Sequence, residues 1–142
     1  VSFHPTTELV AVAWVKAATG FTGVATDIPS DNSTWSASGF IQVQGVGGTP
    51  DTYLPVARPV VSLDFWAVSP NSSKPPWNKA NALAEMVRAA TYSPGRPVTL
   101  PAAYAGARVM SAQLLTEPRR IRDDNADFAH FQADLQISWV EI

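Results

Sequence analysis

The chain has 142 residues and a mass of 15.2 kDa, a length that fits one domain around one core. A net charge of −2 and a pI near 5.5 exclude an overall basic footprint for nucleic acid or an anionic membrane. The absence of cysteine excludes disulfides, thiolate zinc sites and cysteine nucleophiles, and a charged fraction of only 15% leaves more neutral surface than usual, which points to burial against partners.

Thr6 or Thr7 can cap a first helix with Glu8 in its first turn, and Gly20 stops it. Its apolar run Leu9 to Val15 is broken by Lys16, has no basic residues before it and is too short to span a bilayer, so the chain is expected to be soluble and unexported. Leu9, Val12, Ala13 and Ala17 form one stripe, and Val10, Trp14 and Ala18 widen it, so the helix is expected to be covered on two sides. The second cover is either another subunit or a loop of the same chain. Residues 21–37 read mostly as loop, with a short strand near Val24.

Phe40 to Val46 and Arg58 to Val68 alternate as strands, joined by an extended flap at residues 45–57. Pro75-Pro76 precedes a second helix from Trp77 to about Tyr92, with Trp77, Ala80, Leu83, Ala84, Val87 and Ala90 inward and Asn78, Lys79, Asn81, Glu85 and Arg88 outward. Ala107 to Thr116 and Asp127 to Ile142 alternate again, the latter most cleanly, and residues 117–126 form the tip between them. Neither strand pair has room for a helical crossover. The expected fold is α+β, a mostly antiparallel four- to five-stranded sheet with two helices packed on one face.

The glycine-rich stretch Val43-Gln44-Gly45-Val46-Gly47-Gly48-Thr49-Pro50-Asp51 tests for phosphate chemistry. A Walker loop needs a lysine and a following helix, and this stretch has neither; the spacing of Gly45, Gly47 and Gly48 also fails the dinucleotide fingerprint. A turn or contact loop is the better reading. The two histidines, His4 near the terminus and His130 on the polar face of a strand, read as isolated structural residues. Asp123, Asp124 and Asp127 lack the calcium-loop spacing. Beside Arg119, Arg120 and Arg122 they make a zwitterionic tip. Trp14, Trp66, Trp77 and Trp139 sit at element positions as core or interface. Trp35 lies in a polar loop, where an exposed ring would suggest a partner.

The early helix, Thr26-Asp27-Ile28-Pro29, the strand ending in Gly47-Gly48, and Arg58-Pro59-Val60-Val61-Ser62-Leu63-Asp64-Phe65-Trp66-Ala67 before an alanine-rich helix resemble the tail terminator proteins of long-tailed (siphovirus-type) bacteriophages, particularly those infecting actinobacteria. The resemblance runs from about residue 5 to 92, as order and composition rather than one sharp motif, and the closing strands are compatible. It implies a single tail-terminator-like domain over residues 1–142 that assembles into a hexameric ring. Such a ring caps the tail tube, ends tail polymerisation and joins the tail to the head connector. The implied partners are further copies of the chain, the tail tube protein and a head-completion or connector protein. Genome DNA passes through the lumen without sequence-specific binding, and no membrane is involved. The implied location is the virion head–tail junction, after assembly in the host bacterial cytoplasm. No catalytic residue, cofactor or metal is implied. Head-completion (stopper-type) proteins of the same neck region share the size and form the alternative. A small-ligand module using the flap, and an enzyme built on Asp64 or Asp134, are the readings from other classes. Interface residues inferred from position are Gly45, Gly47, Gly48 and Asp51 in the flap, Arg119, Arg120, Arg122, Asp123 and Asp124 at the tip, and Trp14 on the wide apolar face of the first helix.

Overall fold

The structure, a computed structural model, describes residues 3, 5–30, 35, 38–47, 56–68, 76–121 and 128–142. Its elements in chain order are α1 (Thr7–Thr19), β1 (Val24–Ala25), β2 (Phe40–Gly47), β3 (Val56–Ala57), β4 (Val60–Val68), α2 (Trp77–Ala90), β5 (Arg96–Val98), β6 (Ala107–Leu114), β7 (Arg119–Ile121) and β8 (Phe128–Glu141).

Helix α1 begins where the Thr6 hydroxyl accepts from the Leu9 N–H at 3.3 Å. It ends at Gly20, whose φ of 74° lets its N–H reach the Lys16 carbonyl at 2.9 Å. Thr6→Ala leaves one first-turn donor without its cap, and thermal unfolding is expected to show a loss of about 1 kcal/mol. The buried face is Val10, Ala11, Trp14 and Val15, not the expected stripe: Leu9, Val12 and Ala13 are only partly buried and Ala17 is exposed, because an almost wholly apolar helix leaves its inward side to be chosen by packing. Both sides of α1 are covered by the chain itself, through α2, β2 and the segment leading into β5, where Trp14 Nε1 donates to the Pro94 carbonyl at 2.9 Å. Helix α2 buries Ala80, Leu83, Ala84 and Val87, the spacing of one helical face.

The expected four- to five-stranded, mostly antiparallel sheet is overturned. The described residues form one mixed, eight-stranded sheet curled into a half-barrel, in the order β1-β2-β4-β8-β6-β5, with β3 and β7 also paired to β8. The cause is the 14-residue β8, which is long enough for two partners along each edge. On one edge it pairs with β4, from Val68↔Phe128 to Val60↔Gln136, and beyond Pro59 with β3, at Ala57↔Trp139 and Val56↔Val140. On the other edge it pairs with β6, from Leu114↔Leu135 to Ala107↔Glu141, and then with β7, at Arg119↔Gln132 to Ile121↔His130. The short strand expected near Val24 is β1, but β3, β5 and β7, of two or three residues each, carry too little alternation to be read from sequence. The mixed character comes from β1, which lies parallel to β2 at Val24↔Ile41.

Strand alternation sorts the two faces. Val61, Leu63, Phe65, Leu135, Ile137 and Trp139 join the buried residues of α1 and Leu83, Ala84 and Val87 of α2 in the main core, while Ala80 packs with Ala67 and Ala129 in a smaller cluster. The opposite face carries Gln42, Ser62, Asp64, Trp66, His130 and Gln132, which bond to one another across the strands.

Candidate functional site

The glycine-rich stretch is the end of a strand as far as Gly47. The ladder between β2 and β4 slips between Gly45 and Gly47, which leaves Val46 as an extra, 63% exposed residue. Gly45 donates its N–H to Glu8 Oε1 at 3.1 Å, so the first turn of α1 holds the outer edge of β2. Gly47 has a φ of 129° with no other atom within 4 Å of where its Cβ would be. A side chain there would have the space but not the conformation, which makes valine at Gly47 a poor probe of contact. Thr6, Thr7, Glu8, Gly45, Val46, Gly47 and Pro59 line an open cleft of about 540 Å³. The Glu8 carboxylate on its lining repels an anion.

Of the other inferred interface residues, Gly48, Asp51, Arg122, Asp123 and Asp124 lie outside the described residues, as does His4. Arg119 and Arg120 sit side by side in β7 and, as alternation demands, serve opposite faces. Arg119 donates to Gln132 Oε1 at 2.8 Å on the polar face. Arg120 places its guanidinium carbon 4.4 Å from the centre of the Trp77 ring, on the helix face, where Trp77 meets Phe131 edge-on. Both arginines therefore brace the tip against the sheet and α2. Trp14 is fully buried in the chain's own core and presents no surface to a neighbour. Trp35, whose exposure would have suggested a partner, is 4% exposed and packs on Phe40 and Phe128 at 6.1 and 6.0 Å.

The polar face holds a cluster that sequence reasoning did not assemble. His130 Nε2 and Asp64 Oδ1 are 2.8 Å apart, and the His130 ring stacks on Trp66 at 3.8 Å with 12° between planes. Trp66 Nε1 donates to Gln42 Oε1 at 3.3 Å, and Gln42 donates in turn to the Thr26 carbonyl at 3.2 Å. Gln132 donates to Ser62 Oγ at 2.9 Å. Asp64–His130 and Ser62–Gln132 are both diagonal pairs, each one step off the direct register partner. Period-2 patterning places all these residues on one face, but the pairing needs the register between segments about 66 residues apart.

Chemically, the cluster is closed. Ser62, the hydroxyl within it, accepts from Gln132, and none of the cluster's side chains lines the cleft beside Gly45 or the one between α2 and β6. A hydrolytic triad needs a nucleophile bonded to the base; the bond described for His130 Nε2 is with Asp64, and the Ser62 hydroxyl meets Gln132 instead. Asp134 uses its backbone N–H to meet Thr116 Oγ1 at 3.0 Å. Among the described residues no three His, Asp or Glu side chains converge to hold a metal. Among them, too, no helix is long and apolar enough to cross a membrane.

The second cleft, about 350 Å³, lies between the C-terminal turn of α2 and the outer edge of β6 and is lined by Arg88, Tyr92, Ala112, Leu115 and Glu117, among others. Arg88 approaches Glu117 at 3.7 Å across it, and Tyr92 and Leu115 stand 80% and 48% exposed at its margin.

No protein-family model and no curated protein sequence matches the chain. Among solved structures the fold is similar to that of a chain in the structure described as the virion of a native gene transfer agent (GTA) particle. The TM-score is 0.51 at 18% identity, covering 93% of this chain and 88% of that one. At that identity the likeness defines the class of fold: a curled mixed sheet with two helices, used by a component of a virus-like particle.

Proposed function

We propose that this chain is a structural protein of a phage-like virion, and more narrowly a tail terminator: a subunit of a ring that caps the tail tube, ends its growth and joins the tail to the head connector. The observation that carries the reading is the fold likeness to a chain of a gene transfer agent virion over nearly the whole length of both chains. The residue patterns noted in the sequence add the tail-end assignment. A structural role also suits a surface whose polar clusters are tied up internally and whose clefts are shallow and open. The expected partners are further copies of the chain, six in a closed ring, with the tail tube protein below and a head-completion or connector protein above. The flap and the tip supply contacts between them.

The test is the mass of the purified protein by light scattering over a range of concentrations, with negative-stain imaging in the presence and absence of tail tubes. Rings, either free or seated on tube ends, are the expected result. A chain that stays monomeric at high concentration and ignores tubes would overturn the proposal.

A further inference from the structure

Among the described residues, both lateral edges of the sheet are only half covered. β1 pairs with β2 at Ile41 and Gln42, so residues 43–47 have no strand on their outer side among the described residues. At the other end, β5 pairs with β6 at residues 107–109, so residues 110–114 are equally bare. The bare runs are of equal length, five residues each, and each is the C-terminal part of its strand. Each also carries a bulge at an exposed apolar residue: Val46 on β2, and Met110, 43% exposed, on β6. Leu115 follows the bare run of β6, and Tyr92 stands on the other side of the groove, just past the end of α2. Unpaired edges of this kind are templates for another strand unless guarded.

The sheet's topology selects the occupant. Each step from β2 to β4, β8 and β6 is antiparallel, so β2 and β6 run in opposite directions. When two copies stand side by side in the same orientation, β6 of one therefore meets β2 of the next in antiparallel fashion, with the helices of both on the same side. The contact uses two different surfaces, so it repeats around a ring rather than ending at a dimer. It matches apolar Val46 to the apolar margin formed by Met110, Tyr92 and Leu115. A bulge bends and twists its strand, as a closed, curved array requires.

We propose that the bare edge of β6, with the groove between it and the last turn of α2, receives the bare half of β2 from a second copy of this chain as an added antiparallel strand. This rests on the ring reading above and names the surfaces that meet. Glu8, whose carboxylate occupies the position of a strand carbonyl at Gly45 N–H, is the group the incoming strand displaces, a charged guard against indiscriminate pairing.

The chain lacks cysteine, so introduced thiols report without background. Gln44 and Gln113 are exposed on the same polar face as Ser62 and Gln136, and Ser111 lies two residues away on that face. The double variants Gln44→Cys with Gln113→Cys, and Gln44→Cys with Ser111→Cys, are oxidised with glutathione disulfide and run on non-reducing gels. At least one is expected to give a ladder of covalent dimers, trimers and higher species, while each single variant stays monomeric. A dimer from Gln113→Cys or Ser111→Cys alone would mean β6 pairs with itself and would overturn the proposal. Rings seen by light scattering and imaging, with no ladder from either double variant, would overturn this interface and leave the ring reading standing. No association by any of these measures would remove both.

Discussion

Trp14→Ala is expected to lower the free energy of unfolding by about 3–5 kcal/mol. Trp14 is the largest fully buried side chain, packed where α1 meets the sheet, and truncating it leaves a cavity that surrounding backbone can fill only in part. It also loses the bond from Nε1 to the Pro94 carbonyl, which ties α1 to a segment 80 residues later. Stability of a domain this size is of order 5–15 kcal/mol, so the change removes a large share of it. Urea denaturation followed by far-UV circular dichroism checks this: the midpoint should fall while the slope is kept. Trp14→Phe retains most of the volume and isolates the stranded carbonyl, about 1–3 kcal/mol. A loss below about 1 kcal/mol for Trp14→Ala would mean the helix is not anchored as described, and would return Trp14 to the candidates for a subunit contact.

The second large effect belongs to the polar face. Asp64→Ala is expected to cost about 1–3 kcal/mol by leaving His130 Nε2 without its acceptor in a site where the two side chains are only 14% and 11% exposed. The pair joins the two central strands β4 and β8 diagonally, and the Trp66 ring fixes the plane of the imidazole, so His130 has little freedom to turn toward water. Asp64→Asn keeps an acceptor oxygen and should recover part of the loss. A double-mutant cycle with His130→Ala should return a coupling of about 0.5–3 kcal/mol. A coupling near zero would show that the two side chains do not support each other, and that Asp64 is buried for a reason other than stability. The comparison also bears on function, since a reactive Asp–His pair would be expected to tolerate substitution in stability while losing an activity.

The long elements were legible in the sequence because each repeats its pattern often enough to be counted. Thr6 and Gly20 mark α1 to within a residue, whereas its buried face, Val10, Ala11, Trp14 and Val15, is not the stripe that the apolar spacing suggested. The alternation from Ala129 through Trp139 marks β8, the longest strand. The short strands were a different matter. β3, β5 and β7 hold two or three residues each, and they are strands only because a longer neighbour offers unpaired backbone beside them. The tip arginines show the same limit. Their charge was visible, but Arg119 on Gln132 and Arg120 over Trp77 depend on a strand that no local pattern announced.

Composition and patterning by themselves determined two helices, four long strands and, through the lack of cysteine, the exclusion of thiolate chemistry. Those properties are set by neighbours along the chain: a cap, a stop, a period of 2 or of 3.6 residues. The tertiary structure alone decided that β8 runs through the middle of the sheet with partners along both edges, that His130 is paired with Asp64, that Trp14 and Trp35 are interior, and that residues 43–47 and 110–114 have no outer strand among the described residues. Each of these depends on the register between segments far apart in sequence, and register is chosen by the whole set of buried side chains packing at once, a sum that no local window contains.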